Sequence, residues 1–415
     1  MTYKVLVSDP LAEEGLSILK EHFHVDVSTE LTEDQLITTI KDYDALVVRS
    51  GTTVTENIID AGKKLKIIGR AGTGVDNIDV DAATRRGIPV VNAPEGNTLA
   101  ATEHTLAMMF ALARKVPQAT ASLKQKQWKR SKFMGIELNE KVLGIIGLGR
   151  IGREIAKRAI ALQMRCIAFD PFISSERARQ LGVQLMPLDD VIRNADVITV
   201  HTPLTNETYH VINAEKIAMM KTGVRIINCA RGGIIDEKAL YEAIKSGKVA
   251  GAALDVFEDE PPLKSPLLDL DCVVVTPHLG ASTIEAQQNV AITVAKEITT
   301  VLQGGQAKYA VNAPMIPLEL QDRIEPFAFL AEKMGRFLIQ LVEGRLESVD
   351  IVYSGELYQL APNIRFITRY ALKGLMDPIL QAPANIINAE YIAKERGIAI
   401  RETTTEESTG FTNLI

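Results

Sequence analysis

Residues 147–152 read Gly-Leu-Gly-Arg-Ile-Gly, directly behind the apolar run Val-Leu-Gly-Ile-Ile and ahead of a helical pattern. A G-x-G-x-x-G between a strand and a helix is the arrangement that cradles a dinucleotide. Gly147 permits a tight turn, Gly149 lets the backbone approach a pyrophosphate, and Gly152 lets helix and strand pack closely. The helix amino terminus adds unpaired N–H groups and partial positive charge. Asp170 follows Gly152 by 18 residues, at the end of the next apolar run. Its carboxylate would accept hydrogen bonds from ribose hydroxyls and repel a 2′-phosphate, which favours NAD over NADP. A glycine turn followed by an unrelated surface Asp is the plainer alternative, and context and spacing count against it.

Three later segments carry polar residues that a packed sheet does not need. Arg231 stands between a buried run and the pair Gly232-Gly233, and its planar fork suits a carboxylate. The acidic run 255–260 ends in Glu260, and His278 follows the run Val273-Val274-Val275. Singly, these read as an ion-paired surface Arg, a solvated acidic loop and a structural His. Together, at strand ends on the side of the glycine loop, they form a workable dehydrogenase site. His278 would take the hydroxyl proton near neutral pH. A Glu on its other ring nitrogen would fix the tautomer. Arg231 would hold the substrate carboxylate and polarise the adjacent carbonyl.

Such residues need strand ends to stand on. The first hundred residues alternate β-rich runs (4–8, 45–49, 66–69, 89–92) with helical stretches (12–21, 33–41). Residues 98–114 form a strong helix, apolar on most faces and so expected to be buried between layers. A second series has strands at 141–146, 165–169, 196–201, 224–228, 251–255 and 273–276, each nearly continuously apolar. That is the mark of parallel strands buried on both faces, and the pattern is doubly wound α/β. A long helix follows at 282–302. Residues 311–317 read as a linker into a third domain, where two helical segments surround a strand at 348–354.

The 415 residues suffice for two to three domains. Charged residues are 24% and the net charge is −6, so a general polyanion binder is not expected. Three cysteines without a Cys-x-x-Cys argue against a disulfide framework or zinc site and for a reducing compartment. The opening MTYKVLVSDP reads as a strand, not a secretory leader, and no apolar run has the length that spans a bilayer. A cytoplasmic protein is expected, with no nucleic-acid or membrane partner.

The chain resembles the D-2-hydroxyacid dehydrogenases, and among them the phosphoglycerate-oxidising branch. The resemblance rests on GRAGTGVDNID at 69–79, NAPEGNT at 92–98, GLGRIG at 147–152 and HTPLT at 201–205. NCARGGIIDE at 228–237, AALDVFEDEPP at 252–262 and TPHLGAST at 276–283 complete it. It implies a Rossmann-type cofactor domain (98–282) inserted in a flavodoxin-like substrate domain (1–97 and 283–312), followed by a partial α+β regulatory domain (313–415). It implies Arg231, Glu260 and His278 as catalytic residues and NAD as cofactor, with no metal. NAD would meet Thr73, the three loop glycines, Arg150, Ile151, Asp170, His201, Thr202, Pro203, Cys229, Ala230, Arg231, Asp255, His278 and Gly280. Cys229 is then a small wall beside the cofactor and not a nucleophile. Arg49 with Ser50 and Gly51, and Arg70 with Gly72, would hold the substrate, and Arg130 would reach a partner subunit's site. Trp128, the sole tryptophan, would anchor a homodimer, which can pair into a tetramer.

The implied reaction is NAD-dependent oxidation of 3-phospho-D-glycerate to 3-phosphohydroxypyruvate, the first step of L-serine biosynthesis. A glyoxylate or hydroxypyruvate reductase, or another D-2-hydroxyacid dehydrogenase, is the alternative, and an NAD-sensing corepressor a remote one. From about Met315 onward, as in residues 355–376, the chain resembles an intervening domain; a serine-binding ACT domain is not recognisable after it, and a fragment of a longer protein is the favoured explanation.

Overall fold

The computed structural model describes residues 2–314, 316, 318–360, 363–380, 384–406 and 410–415. Met315 and Pro317 of the expected linker, and Ala361 and Pro362 of the intervening-domain segment, lie outside the described residues. The chain forms two compact units: Met1–Gly96 with Gln287–Ile415, and Asn97–Ala286.

The first unit opens with five short parallel strands: β1 (Lys4–Val7), β2 (His24–Val27), β3 (Ala45–Val48), β4 (Ile67–Arg70) and β5 (Val90–Val91). Their order is β2-β1-β3-β4-β5, the flavodoxin-like order. Valines and isoleucines of β1, β3 and β4 are shut from solvent on both faces, because helices cover both sides of a parallel sheet. The helix Ile284–Leu302 covers one of them, setting Val290, Val294 and Ile298 against Val5, Val47 and Ile67.

The second unit holds a seven-stranded parallel sheet. Its strands are β6 (Val142–Ile146), β7 (Arg165–Phe169), β8 (Gln184–Leu185), β9 (Val197–Val200), β10 (Val224–Asn228), β11 (Val249–Leu254) and β12 (Val273–Val275). The order β12-β11-β10-β9-β6-β7-β8 is the Rossmann order with one strand added. The chain reverses direction across the sheet at β6, so the crevice at its carboxyl end is the switch point where ligands bind. Met108, Met109, Ile155 and Ala159 pack on one face, and Ile192, Ile217, Leu240 and Ile244 on the other.

The remainder of the first unit is built on β13 (Ser348–Gly355), β14 (Ala399–Thr405) and β15 (Asn413–Leu414), ordered β14-β13-β15 with β15 antiparallel. The helices Leu318–Leu341 and Arg365–Met376 pack closely, and a Cβ on Gly335 or Gly374 would overlap the other helix's backbone. The α/β class and the parallel sheets are as the alternating pattern predicts.

Two local expectations fail. Thr98–Arg114 is a helix, but Leu99 and Phe110 lie exposed along it while Met108, Met109 and Leu112 are buried. Apolarity all round a helix does not say which side is covered within its own chain. Residues 311 and 312, expected to begin a linker, are tied to the sheet: Val311 N–H donates to Val90 O at 2.8 Å. The Asn312 side chain accepts from Val90 N–H at 2.9 Å and donates to Ile88 O at 2.9 Å. One amide thus closes an otherwise unpaired stretch of strand edge.

Candidate active site

The glycine loop has the geometry its three roles demand. Gly147 sits at φ 93°, where an L side chain is strained, and a Cβ there would stand 2.5 Å from His201 O. A Cβ on Gly152 would overlap Gly147 O, so that glycine serves helix–strand packing. A Cβ on Gly149 meets nothing within 4 Å. Packing within the chain does not require Gly149, and the space beside it is what a pyrophosphate would fill. Arg150 opens the helix Arg150–Ala161, so its first N–H groups face that space. Asp170 braces the loop: its carboxylate accepts Leu148 N–H and Phe172 N–H, each at 2.8 Å.

His201 and Thr202 follow β9, next to Gly147. His201 Nε2 bonds Thr199 Oγ1 at 2.7 Å, while His201 Nδ1 and Thr202 Oγ1 are buried without a hydrogen-bond partner. Burial pushes the His201 imidazole down to about 3, so it is neutral at pH 7. Buried polar atoms left unpaired beside the loop are what a ligand-binding wall looks like without its ligand. With the open space at Gly149, they fit a bound dinucleotide. Pro203 O accepts the Thr208 hydroxyl at 2.6 Å, shaping the exposed turn beyond.

Arg231, Glu260 and His278 follow the carboxyl ends of β10, β11 and β12, three neighbouring strands. His278 Nδ1–H donates to Glu260 Oε2 at 2.8 Å, and Glu260 Oε1 accepts Phe257 N–H at 3.1 Å. Burial raises the Glu260 carboxyl, but the hydrogen bond and charge of His278 together with Phe257 N–H hold the group below its ordinary value. A carboxylate on Nδ1 leaves the lone pair on Nε2, which is the state a base needs.

His278 itself sits at φ 55°. Such a backbone persists only where its surroundings over-determine it, and Asp255 does so. The Asp255 carboxylate accepts Leu279 N–H at 2.7 Å, Gly280 N–H at 2.8 Å and the Thr276 hydroxyl at 2.6 Å. His104 Nε2 stands 3.1 Å away. Burial opposes ionisation of Asp255, yet His104, Thr276 and Leu279 N–H together hold its carboxyl below the ordinary range.

Arg231 is set by Asn228: the Asn228 amide donates to Arg231 O at 2.8 Å and accepts Ala230 N–H at 3.0 Å. The Arg231 guanidinium donates to Ala230 O at 2.7 Å. Cys229 is buried; burial and the Asp255 charge push its thiol up to about 12, far from a nucleophile.

The substrate candidates stand in the first unit. Arg49 follows β3, Arg70 ends β4, and the two strands are neighbours. Asp9 takes the Arg49 N–H at 2.5 Å and the Thr52 N–H at 3.1 Å, fixing the turn through Ser50 and Gly51. Asn77 donates to Arg49 O at 2.6 Å and accepts Arg70 Nε–H at 3.4 Å, linking both arginine segments. A Cβ on Gly72 would overlap the Arg70 guanidinium, so that glycine makes room for it. Thr73 Oγ1 donates to Ala93 O at 3.3 Å. The candidates thus form one cluster in each unit, both at carboxyl ends of strands. Arg130 joins neither, lying in the exposed turn Arg130–Phe133. The sequence reading missed Asp9, Asn77, His104 and Asn228 as supports. The available signal was a polar residue at the end of an apolar strand, as in Asp9 and Asn228.

Comparison with known proteins gives first the class. The model for the D-isomer specific 2-hydroxyacid dehydrogenase NAD-binding domain matches residues 106–280. The structure of D-lactate dehydrogenase from Aquifex aeolicus complexed with NAD and lactic acid superposes with TM-score 0.66 at 29% identity, covering 72% of this chain and 96% of that one. The chain is an NAD-dependent oxidoreductase.

The model for the D-3-phosphoglycerate dehydrogenase intervening domain matches residues 323–415. D-3-phosphoglycerate dehydrogenase of Methanocaldococcus jannaschii is 51% identical over 97% of this chain and 77% of its own length. That of Archaeoglobus fulgidus is 50% identical over 99% and 78%. The chain belongs to the D-3-phosphoglycerate dehydrogenase family. Among the described residues no helix is long and apolar enough to cross a membrane.

Proposed function

We propose that this chain oxidises 3-phospho-D-glycerate to 3-phosphohydroxypyruvate, the entry to L-serine synthesis, in the cytoplasm. The carrying observation is the His278–Glu260 pair, 2.8 Å apart, at the carboxyl edge of the sheet that bears the glycine loop. NAD, when bound on that loop, supplies the two-electron acceptor. His278 Nε2 takes the proton of the substrate's C2 hydroxyl, and Glu260 offsets the charge the imidazole gains. Arg231 anchors the carboxylate beside the reacting carbon and stabilises the carbonyl oxygen as it forms. Arg49, just past β3, and Arg70, at the end of the neighbouring β4, take the phosphate, with Ser50, Gly51 and Gly72 shaping the turns around it.

The division that goes with this chemistry is a substrate domain of residues 1–97 and 283–312, a cofactor domain of 98–282 and an intervening regulatory domain from 313. Dimerisation runs through the segment around Trp128 and brings Arg130 to the partner's site. The test is NADH formation at 340 nm in absorbance, with 3-phosphoglycerate against glycerate at equal concentration. A kcat/KM at least 10²-fold higher on the phosphorylated acid is expected, the scale of lost charge-assisted contacts to a phosphate. Equal rates on both would leave a reductase or dehydrogenase of unphosphorylated 2-hydroxy acids. No turnover on either would remove the enzymatic reading.

A further inference from the structure

One residue outside the catalytic set touches both loops that carry it, one through its backbone and the other through its ring. His210 lies in the turn after β9, and its backbone N–H donates to Gly233 O at 2.8 Å, two residues beyond Arg231. Its ring Nε2–H donates to Glu258 Oε1 at 2.9 Å, two residues before Glu260. Glu258 is clamped in turn: its Oε1 accepts Glu237 N–H at 3.1 Å, and its own N–H donates to Glu237 Oε1 at 2.6 Å. A Cβ on Gly232 would overlap Phe257 O, so the two loops run in direct backbone contact at this point. Tyr209 stacks on the His210 ring with centroids 4.0 Å apart, and a Cβ on Gly233 would lie 3.4 Å from the Tyr209 ring.

His210 is held at φ 50°, in the left-handed region. Gly or Asn fills that backbone at less cost. The fold of the turn alone does not explain a bond that leaves it for Glu258. The carboxylates facing the ring are Glu258 and, through it, Glu237. Burial, with Glu258 and Asp259 nearby, pushes the Glu237 carboxyl up.

We infer that His210 is a positioning residue for this reaction: through Gly233 and Glu258 it sets the spacing between the loop of Arg231 and the loop of Glu260. The inference rests on the reading of Glu260 and His278 as the acid–base pair. A base and an anchor on separate loops must keep their spacing to hold one substrate in reacting geometry, and a displacement of 1 Å can cost about 10²-fold. The His210 and Glu258 side chains are 27% and 34% accessible, so water still reaches and screens their bond, and it adds little to stability. Its loss should be read in kinetics and not in melting.

The test compares His210→Asn, His210→Gln and Glu258→Ala in the full chain. Asn tolerates the left-handed backbone, but its amide ends where Nδ1 stands, short of Glu258. The Gln amide reaches the place of Nε2. His210→Asn should lower kcat about 10-fold and raise the KM of the hydroxy acid, with the NAD dissociation constant and the melting temperature unchanged. His210→Gln should restore most of the loss. Glu258→Ala should lose at least as much as His210→Asn, since it also takes the acceptor from Glu237 N–H, and the double variant should be no worse than Glu258→Ala, because the His210 link is already broken there. Values for His210→Asn within twofold of the unaltered chain, or losses that multiply in the double variant, would overturn the inference. His278→Ala separates the two levels. If it retains turnover, the acid–base reading fails and this one with it. If it abolishes turnover while His210→Asn has no effect, only the positioning role fails.

Discussion

Asp255 spends both carboxylate oxygens on the turn that carries His278, and it does so almost fully out of water. Its service to His278 is conformational: four donors converge on it, and the left-handed backbone at His278 is what they enforce. Asp255→Asn presents an NH₂ to at least one of those donors. The expected cost is about 2–4 kcal/mol of stability, the scale of breaking a buried charged hydrogen-bond set, together with a fall in kcat. The pH dependence has a definite sign. The folded Asp255 pKa lies below its ordinary value, so the unfolded chain binds a proton more readily than the folded one. Its stabilisation is therefore complete above an ordinary Asp pKa of about 3.9 and is lost as pH falls through the lowered folded value. Urea unfolding of both proteins at successive pH values should show the gap constant from pH 7 to about 5 and closing below about 4. A gap that stays constant into that acid range would mean the carboxylate's charge is not what holds the turn.

At the scale of elements, the glycine loop separates packing from binding. Gly152→Ala forces the helix Arg150–Ala161 off β6, because the new methyl overlaps Gly147 O, and overpacking of this kind costs about 1–3 kcal/mol. Gly149→Ala meets open space at φ −68°, so the fold should lose at most about 1 kcal/mol, the scale of a capping change. NAD affinity should nevertheless fall at least about 10-fold in Gly149→Ala, since the methyl occupies the pyrophosphate's approach. Thermal melting and fluorescence titration would check the split, and equal melting losses in the two variants would contradict it. The same loop shows why so much was legible in the sequence. Strands buried on both faces are continuous apolar runs, and glycines with backbone duties recur at fixed spacing, so β6 through β12 apart from β8 could be placed and the loop could be assigned. Where burial is one-sided or pairing is brief, the signal fades. His24–Val27 is an edge strand with exposed ends, Gln184–Leu185 pairs over two residues, and Ala399–Thr405 is mostly polar because little of it is covered. The supports of the site were illegible for another reason. Asp9 reaches Thr52 across 43 residues and His104 meets Thr276 across 172, distances over which a single sequence carries no pattern.

At the scale of the whole molecule, the exposed apolar side chains of the cofactor-binding unit bear on assembly. Within residues 97–134, Leu99, Phe110, Val116, Leu123, Trp128 and Met134 are all exposed, and Trp128 and Met134 are each 77% accessible. Soluble monomers rarely leave large contiguous apolar patches in water, and a buried aromatic is the commonest anchor of an interface. Three exposed cations, Lys129, Arg130 and Lys132, stand beside Trp128 in a chain whose net charge is −6. An exposed apolar anchor of this kind is where a copy of the chain would dock. Trp128→Glu places a carboxylate at the centre of that contact and leaves every residue of the glycine loop and of the His278–Glu260 pair untouched. Sedimentation should show the unaltered chain as a dimer or tetramer and the variant shifted toward smaller species by at least 10-fold in dissociation constant, the scale of a truncated anchor. NAD titration of the variant should be unchanged, since Trp128 lies outside the glycine loop and outside the sheet that carries it. If Arg130 serves a partner's site, turnover of the variant should fall with dilution more steeply than that of the unaltered chain. A variant that sediments like the unaltered chain would move the interface away from Trp128, and one that dissociates with full turnover at every concentration would leave Arg130 outside the site.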